Sequence, residues 1–283
     1  MSQRIDAHQH FWDPARADYP WMAGDALAPI RRPFGPADLA PLLAENGLDA
    51  SILVQTRSSL DETEEFLRIA HDWPFVAGVV GWVDLTDAAV GATVERLRAL
   101  PGGNKLVGIR HQVHDEADAD WLSRGDVRRG VEVVLAHGLT YDLLVRTREL
   151  PAAIAAARAF PDARFVLDHA AKPPIATGFD QQWADRIAEL AASGNVWCKV
   201  SGLATEATWT DWDAERLQPY VTHVATCFGA DRLIFGSDWP VCLLAGSYHE
   251  IKQALERCLT QLGPDFRGKA FGPNAVAAYR LRR

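Results

Sequence analysis

The sequence predicts an α/β chain folded as a single (β/α)8 barrel, also called a TIM barrel. Short apolar runs rich in β-branched residues recur eight times along the 283 residues. The segments between them show the apolar spacing of amphipathic helices. Polar residues collect at the C-terminal ends of the apolar runs, where a parallel barrel carries its active site.

Each apolar run is typical of a strand covered by helices on the outside of a sheet. Ser51–Gln55 and Arg164–His169 are apolar over most of their length and become polar at the end. A doubly wound open sheet is the alternative, but it expects a glycine-rich turn after the first strand, where this chain has His-Gln-His-Phe-Trp. The predicted strands cover residues 4–11, 50–56, 75–84, 106–112, 140–145, 164–169, 196–202 and 232–238.

The helices are predicted from periodicity and from their end signals. Ile251, Ala254, Leu255, Cys258, Leu259 and Leu262 form one stripe of a helix. Residues 61–64 resemble a capping box at the start of another helix. Glycines at helix C-termini are predicted at Gly47, Gly138, Gly194 and Gly263. Further helices are expected over 86–100, 126–137, 148–159, 180–193 and 213–228.

No linker, repeat or low-complexity tract divides the chain, so one domain is expected over residues 1–283. The longest irregular stretch is 13–35, which follows the first strand. We expect it to fold over the barrel mouth, either as a covering loop only or as a lid that brings Trp21 to the pocket.

Composition excludes several classes of function. The net charge of −8 and the lack of a basic run argue against nucleic acid as a partner. No apolar stretch is long enough to span a membrane, and the first residues lead straight into a strand without a signal peptide. The four cysteines show no metal-binding spacing, which favours reduced thiols and a cytoplasmic protein.

Two histidines separated by one residue end the first predicted strand. Alternate side chains of a strand share a face, so His8 and His10 point the same way. Imidazoles paired in this way can bind a divalent metal or polarise a carbonyl group.

The other strand ends add polar and aromatic side chains to the same rim. Asp238 follows the apolar run of strand eight, where an unpaired carboxylate would be costly, so we predict a role at the mouth. We predict Asp238, His169, His8 and His10 as catalytic residues. The predicted substrate-binding residues are Gln55, Arg110, His111 and Lys172, as hydrogen-bonding groups, and Trp21, Trp82 and Trp239, as flat faces for a sugar ring.

These residues resemble the amidohydrolase superfamily. The similarity lies in His8-Gln9-His10, in Asp168-His169 followed by Lys172-Pro173, and in Gly236-Ser237-Asp238-Trp239-Pro240. The closer resemblance is to the amidohydrolase-2 branch, in particular to its sugar lactonases of the L-fuconolactonase and L-rhamnonolactonase type, and it covers the whole chain.

The resemblance implies a metal site, with one departure. Members with two metals carry a carboxylated lysine or a glutamate at the end of strand four, where this chain has Arg110-His111. We therefore expect at most one divalent ion, zinc, on His8, His10, His169 and Asp238; metal-independent chemistry is the alternative.

The function implied is that of a hydrolase that opens a sugar lactone, an aldonolactone, to the aldonic acid. Asp238 would take a proton from water and return it to the ring oxygen. The alternatives are a dicarboxylate lactonase, a metal-dependent nonoxidative decarboxylase and a non-catalytic sugar-binding barrel. A small-molecule lactone is the expected partner, and the oligomeric state stays open, with a homodimer as the working expectation.

Overall fold

Eight parallel strands follow one another around a barrel in the order of the chain. The computed structural model describes residues 3–281. The strands are β1 Ile5–Gln9, β2 Ala50–Val54, β3 Val76–Gly81, β4 Leu106–His111, β5 Thr140–Leu143, β6 Phe165–Leu167, β7 Val196–Val200 and β8 Leu233–Phe235. Asp238 N donates to His8 O at 2.8 Å and His10 N donates to Trp239 O at 2.8 Å, which joins the two ends of the sheet. The predicted (β/α)8 fold is confirmed.

Helices lie between the strands and pack on their outer faces. They are α1 Pro36–Glu45, α2 Leu60–Asp72, α3 Val90–Arg98, α4 Gly125–Ala136, α5 Leu150–Ala159, α6 Gln181–Ala191, α7 Leu203–Glu206, α8 Ala214–Phe228, α9 Tyr248–Leu262, α10 Pro264–Ala270 and α11 Pro273–Tyr279. Among the described residues 3–281, no helix combines the length and the apolar character that crossing a membrane would require.

The helix-end predictions were right for the glycines and wrong for one cap. Gly47, Gly138, Gly194 and Gly263 all have positive φ, at 64°, 73°, 81° and 125°. Helix α2, however, begins after Ser59, whose hydroxyl accepts from Glu62 N at 3.3 Å. The capping box predicted on residues 61–64 does not form, because Asp61 already lies inside the helix and the Glu64 carboxylate accepts from Arg96 Nη1 at 2.6 Å.

All eight strands end one to three residues earlier in the structure than predicted, and the difference matters most at β6 and β8. Strand β6 stops at Leu167 and β8 at Phe235, although the apolar and polar pattern continues to His169 and Asp238. A 3-10 turn, Asp168–Ala171, follows β6 directly. The polar residues therefore stand on the turns that leave the barrel, which aims their side chains into the mouth.

The apolar core has two parts. The larger one packs the outer faces of the strands against the helices. The smaller one joins strand residues such as Ile5 and Ile234 to Ala275 and Ala278 of α11. Because Thr140 Oγ1 donates to Ala278 O at 2.8 Å, α11 is fixed to the start of the strands and closes that end of the barrel. The site therefore lies at the opposite end of the barrel, where the strands end.

Candidate active site

The two histidines of β1 share a face, as their spacing predicts. The ring centroids of His8 and His10 lie 4.9 Å apart, and both side chains are buried. Gln9 points to the other face, where its amide donates to Ser51 Oγ at 3.1 Å. His10 Nδ1 is 2.7 Å from Val54 O, and His8 Nδ1 is 3.3 Å from Asp168 Oδ1. Both contacts require the proton on Nδ1, so each Nε2 offers a lone pair.

His169 enters the same space from a left-handed turn. His169, Ala170, Ala171 and Lys172 have φ values of 51°, 49°, 60° and 50°, a conformation that costs L-residues free energy. Trp183 Nε1 holds this turn by donating to Ala170 O at 2.7 Å. The turn directs both His169 and Lys172 into one cavity.

Asp238 is held in place by a carboxylate at the other end of the chain. Asp6 is fully buried and accepts from Ser237 N at 2.9 Å, from Ser237 Oγ at 2.6 Å and from Tyr248 Oη at 2.8 Å. Gly236 lets the chain pass His8, since a Cβ there would lie 2.6 Å from His8 Cβ. Asp6 and Gly236 thus fix where Asp238 stands, and sequence reasoning missed Asp6.

Donor atoms of His8, His10 and Asp238 lie close enough together at the mouth to hold one metal ion, and His169 lies beside them. Asp238 Oδ1 is 3.3 Å from His10 Nε2, 3.8 Å from His8 Nε2 and 3.9 Å from His169 Nε2. Although burial opposes the charge of Asp238, His169 and His10 keep the pKa of this carboxyl below its usual value. Burial also lowers the pKa of His8 and of His169 well below that of a free imidazole, so both rings are neutral near pH 7.

This arrangement fits one divalent ion. Two ligands of a tetrahedral zinc stand about 3.3–3.5 Å apart when each bond is about 2.0–2.2 Å, close to the separations around Asp238 Oδ1. The Nε2 lone pair of His10 faces a carboxylate oxygen with no proton between them, an arrangement that a cation stabilises, and His8 Nε2 already has a cation, Arg110 Nη1, at 3.2 Å. The contacts of Nδ1 with Val54 O, Asp168 and Ser201 Oγ are those that orient metal-binding histidines. The expectation of one divalent metal is therefore compatible with the donor set.

A network of buried charged side chains lies beneath the mouth. Arg110 Nη1 donates to Asp168 Oδ2 at 2.9 Å, and Lys199 Nζ lies 2.9 Å from Asp168 Oδ1 and 2.7 Å from Asp142 Oδ2. Asp142 also accepts from Tyr279 Oη at 2.6 Å. Burial disfavours the charge of Asp168, but Lys199 and His8 hold its pKa well below the usual value. The group that orients His8 is therefore a permanent carboxylate.

A cavity of about 550 Å³ opens above these residues. The structure places six of the predicted site residues on its wall, namely His10, Trp21, Arg110, His169, Lys172 and Asp238. Trp21 and Leu27 come from the stretch 13–35, so this stretch covers the mouth as expected. The indole nitrogen of Trp21 is buried and has no hydrogen-bond partner among the described residues.

The other predicted residues do not line the cavity. His8 is buried beneath it, and Gln55 Oε1 accepts from Arg110 Nε at 3.0 Å. His111 faces away from Arg110, stacks on Trp121 at 4.1 Å and accepts from Trp82 Nε1 at 3.0 Å.

Trp239 does not line the cavity either. Its ring packs against that of Phe34, with centroids 5.3 Å apart, and only 1 % of the residue is exposed. Neighbours on a strand or a tight turn point to opposite sides, so one of each adjacent pair is turned outward. The geometry therefore gives no substrate contact to Trp82, His111 or Trp239.

Sequence reasoning missed part of the wall. Arg146 is the first charged residue after the apolar run of β5, a signal that could have found it. Glu206 and Trp209 stand on α7 and on the loop after it, where no strand-end pattern marks them. His114 follows the end of β4, among the polar residues that the strand-end pattern does mark, but it was not predicted as a site residue. The pKa of His114 is lowered to about 3 by burial and by Lys172 and Arg146, so this ring is neutral. Its Nδ1 is buried without a partner among the described residues.

The chain is similar to known proteins over its full length. Residues 5–281 match the model of a family described as amidohydrolase. The chain is 46% identical over 287 residues to L-fucono-1,5-lactonase of Burkholderia ambifaria, covering 100% of this chain and 97% of that protein. It is 41% identical over 291 residues to L-fucono-1,5-lactonase of Burkholderia multivorans, with 98% and 96% covered.

A solved structure agrees with these sequence matches. A crystal structure of an amidohydrolase from Burkholderia multivorans with bound zinc superposes with a TM-score of 0.93 at 39% identity, covering 99% of this chain and 100% of that one. The resemblance stated from the motifs is thereby confirmed, and this chain belongs to the amidohydrolase family.

Proposed function

We propose that this enzyme hydrolyses the ester bond of a sugar lactone, and that L-fucono-1,5-lactone is the first substrate to test. The observation that carries the proposal is the buried carboxylate of Asp238, set among three imidazoles at the floor of a cavity large enough for a six-carbon sugar. The relatives named L-fucono-1,5-lactonase, at 46% and 41% identity, support this substrate class. L-Rhamnono- and D-galactonolactone are the next candidates.

Asp238 is the proposed general base. Its Oδ1 faces the histidines, while its Oδ2 accepts no hydrogen bond from the described residues. The carboxylate would take a proton from water as the water oxygen attacks the lactone carbonyl carbon. It would then return that proton to the ring oxygen as the carbon–oxygen bond breaks. The product is the open-chain aldonic acid, in which the former ring oxygen is a free hydroxyl and the carboxyl group ionises.

The carbonyl oxygen needs a positive or hydrogen-bonding partner as it becomes an oxyanion. His8 and His10 cannot donate from Nε2 in the tautomers that their Nδ1 contacts require. Arg110 is the cationic donor beside the imidazoles, with Nη1 3.2 Å from His8 Nε2, whereas Lys172 and Arg146 on the same wall pair with Glu206. When bound by His8, His10, His169 and Asp238, a divalent ion would supply Lewis-acid polarisation of the carbonyl and a more acidic water.

The remaining wall residues suit a substrate with several hydroxyls. Neutral His114 presents an unpartnered Nδ1 that can accept from a hydroxyl, and the buried Trp21 Nε1 can donate to one. Both groups are costly to leave buried without partners, and a bound sugar would provide them.

A second candidate is a lactonase for carboxylated lactones. The presence of Arg146 beside Lys172 on the wall favours it, since these cations could bind a carboxylate. A panel of aldonolactones, pyrone dicarboxylates and carboxylated dienes, followed by proton release and by CO₂ evolution, separates these functions. If no aldonolactone opens faster than the spontaneous rate while a dicarboxylate turns over, the sugar proposal is wrong. CO₂ evolution would instead identify a decarboxylase.

The compartment, the oligomeric state and the domain organisation of the enzyme are also proposals. Four free cysteines, three of them buried, support a reducing compartment such as the cytoplasm. A homodimer and a single domain over residues 1–283 stay predictions, to be checked by light scattering and by limited proteolysis.

A further inference from the structure

One carboxylate at the cavity mouth contacts both nearby cations. Glu206 Oε2 is 3.1 Å from Arg146 Nη1, and Glu206 Oε1 is 3.3 Å from Lys172 Nζ. The Glu206 side chain is only 14% exposed, as against 49% for Arg146. All three residues line the same cavity as Asp238 and His169.

Glu206 is the acidic group that offsets one of these two positive charges by direct contact. Asp115 lies on the same wall, but its carboxylate is 56% exposed and lies 3.3 Å from Nε2 of the neutral His114. Without Glu206, two cations would face the cavity with no carboxylate touching them. An arginine and a lysine side by side form a ready binding site for a substrate carboxylate.

A carboxylated lactone meets two obstacles in the cavity as it stands. It must displace Glu206 from the cations, and it brings a third negative charge into a partly buried space that already holds those of Glu206 and Asp238. A neutral lactone meets neither obstacle, because its hydroxyls can bond to the paired groups without separating them.

We propose that Glu206 determines specificity, by making the cavity select neutral lactones over lactones that carry a carboxylate. The inference rests on the proposed lactonase function and adds the charge class of its substrate. Glu206 acts on the non-reacting end of the substrate, not on the ester bond, so its removal should change which lactone is opened rather than whether one is opened.

The test compares two substrates that differ in one group. L-Galactono-1,4-lactone and L-galactaro-1,4-lactone have the same ring, and the second has a carboxylate where the first has a primary alcohol. The readout is the ratio of kcat/KM for the anionic lactone to that for the neutral one. The variants are Glu206→Gln, Arg146→Met and the double variant. Glu64→Gln is the matched control, because Glu64 pairs with Arg96 at 2.6 Å far from the cavity mouth.

The ratio should follow the charge of the cluster formed by Arg146, Lys172 and Glu206. Glu206→Gln should raise it on the order of tenfold, since a full charge is removed a few ångströms from a bound carboxylate in a partly screened site. Arg146→Met should lower it. The double variant has the wild-type charge and should return to within about threefold of the wild-type ratio, as should Glu64→Gln.

The outcomes separate this inference from the proposed function. If Glu206→Gln retains neutral-lactone turnover with an unchanged or lower ratio, or if the double variant stays as shifted as Glu206→Gln, charge selection by Glu206 is refuted. If the wild type opens no lactone, the proposed function fails instead. Calorimetric binding of galactarate against galactonate, which differ only in the carboxylate at the non-reacting end, then gives the same comparison without turnover, and a preference unchanged by Glu206→Gln refutes the inference there.

Discussion

At the residue scale, the imidazoles decide what the site can do. Nδ1 of His10 is committed to Val54 O and Nδ1 of His8 to Asp168, so their Nε2 atoms are acceptors. Acceptors can bind a metal but cannot hold an oxyanion. In metal-free catalysis, an imidazole that polarises the carbonyl must donate a hydrogen bond to it. The geometry leaves only His169 for that role, because Ser201 Oγ can either donate to or accept from its Nδ1.

The first prediction concerns Asp238→Asn. Asparagine keeps the shape of the side chain but cannot take the proton from water, so kcat should fall roughly 10²–10⁴-fold. Lactone hydrolysis is measured on protein whose circular dichroism and melting temperature match the wild type. Asp231→Asn, at a position 80% exposed, is the control. Turnover of the Asp238 variant within about threefold of wild type would exclude the general-base role.

The second prediction concerns Arg110→Met. This change should lower kcat/KM. It should also lower the stability of the fold, because Arg110 is buried and bonded to Asp168 and Gln55. Removing one partner of a buried ion pair typically costs about 3–5 kcal/mol of stability. Urea unfolding and kinetics are measured together. A variant as stable as the wild type would contradict the buried pairing.

At the scale of elements, the turns that follow the strands place the catalytic groups. The turn after β7 contains Gly202, with φ of 65°, and a Cβ there would lie 2.7 Å from His169 Nδ1. The turn after β8 is fixed by Asp6, and the turn after β6 is left-handed over four residues. Each turn contacts another element, and these contacts position the catalytic groups at the mouth.

The third prediction compares Gly202→Ala with Gly194→Ala. Both glycines have positive φ, at 65° and 81°, so either change should cost about 1–2 kcal/mol of stability. A Cβ at Gly194 meets no atom within 4 Å, whereas one at Gly202 clashes with His169. We expect only Gly202→Ala to lose activity beyond its stability loss. Equal activities, measured well below both melting temperatures, would show that the turn does not position His169.

At the scale of the whole molecule, the barrel interior contains four charged side chains in one network. Asp142, Asp168, Lys199 and Arg110 come from four strands or their ends, and their formal charges balance. The network links α11, through Tyr279, to the site at the opposite end of the barrel. Lys199 is fully buried in this network and does not reach the cavity wall.

The fourth prediction is that Lys199→Met destabilises the protein strongly. Two buried carboxylates lose their common partner, which typically costs about 3–5 kcal/mol. Arg96→Met breaks the exposed pair with Glu64 and should cost at most about 1 kcal/mol. Free energies of unfolding in urea give both values. Equal losses in the two variants would contradict the importance of the interior network.

The fifth prediction is that the protein binds at most one divalent ion per chain. Arg110 Nη1 lies 3.2 Å from His8 Nε2, so a cation already stands where a second metal and its bridging ligand would be. Elemental analysis after zinc loading and dialysis gives the stoichiometry, with His10→Gln as the variant expected to lose the ion. Two zinc ions per chain at full occupancy would refute the prediction.

The sequence by itself determined the barrel and the centre of the site. Apolar runs with polar ends, repeated eight times between amphipathic helices, leave few other ways to bury so much apolar surface. The shared face of His8 and His10 follows from the period of a strand, which is a local property. The placement of Asp238 and His169 at the mouth follows from their positions after β8 and β6.

Only the tertiary structure decided which neighbours of these residues face the cavity. His111 and Trp239 turn outward although Arg110 and Asp238, beside them in the chain, turn inward. Arg146, His114 and Glu206 reach the wall from turns and from α7. Such contacts join residues far apart in sequence, for instance Lys199 to Asp142 or Asp6 to Ser237. They depend on loop paths and on how each strand is staggered against the next, which no local pattern in the sequence records.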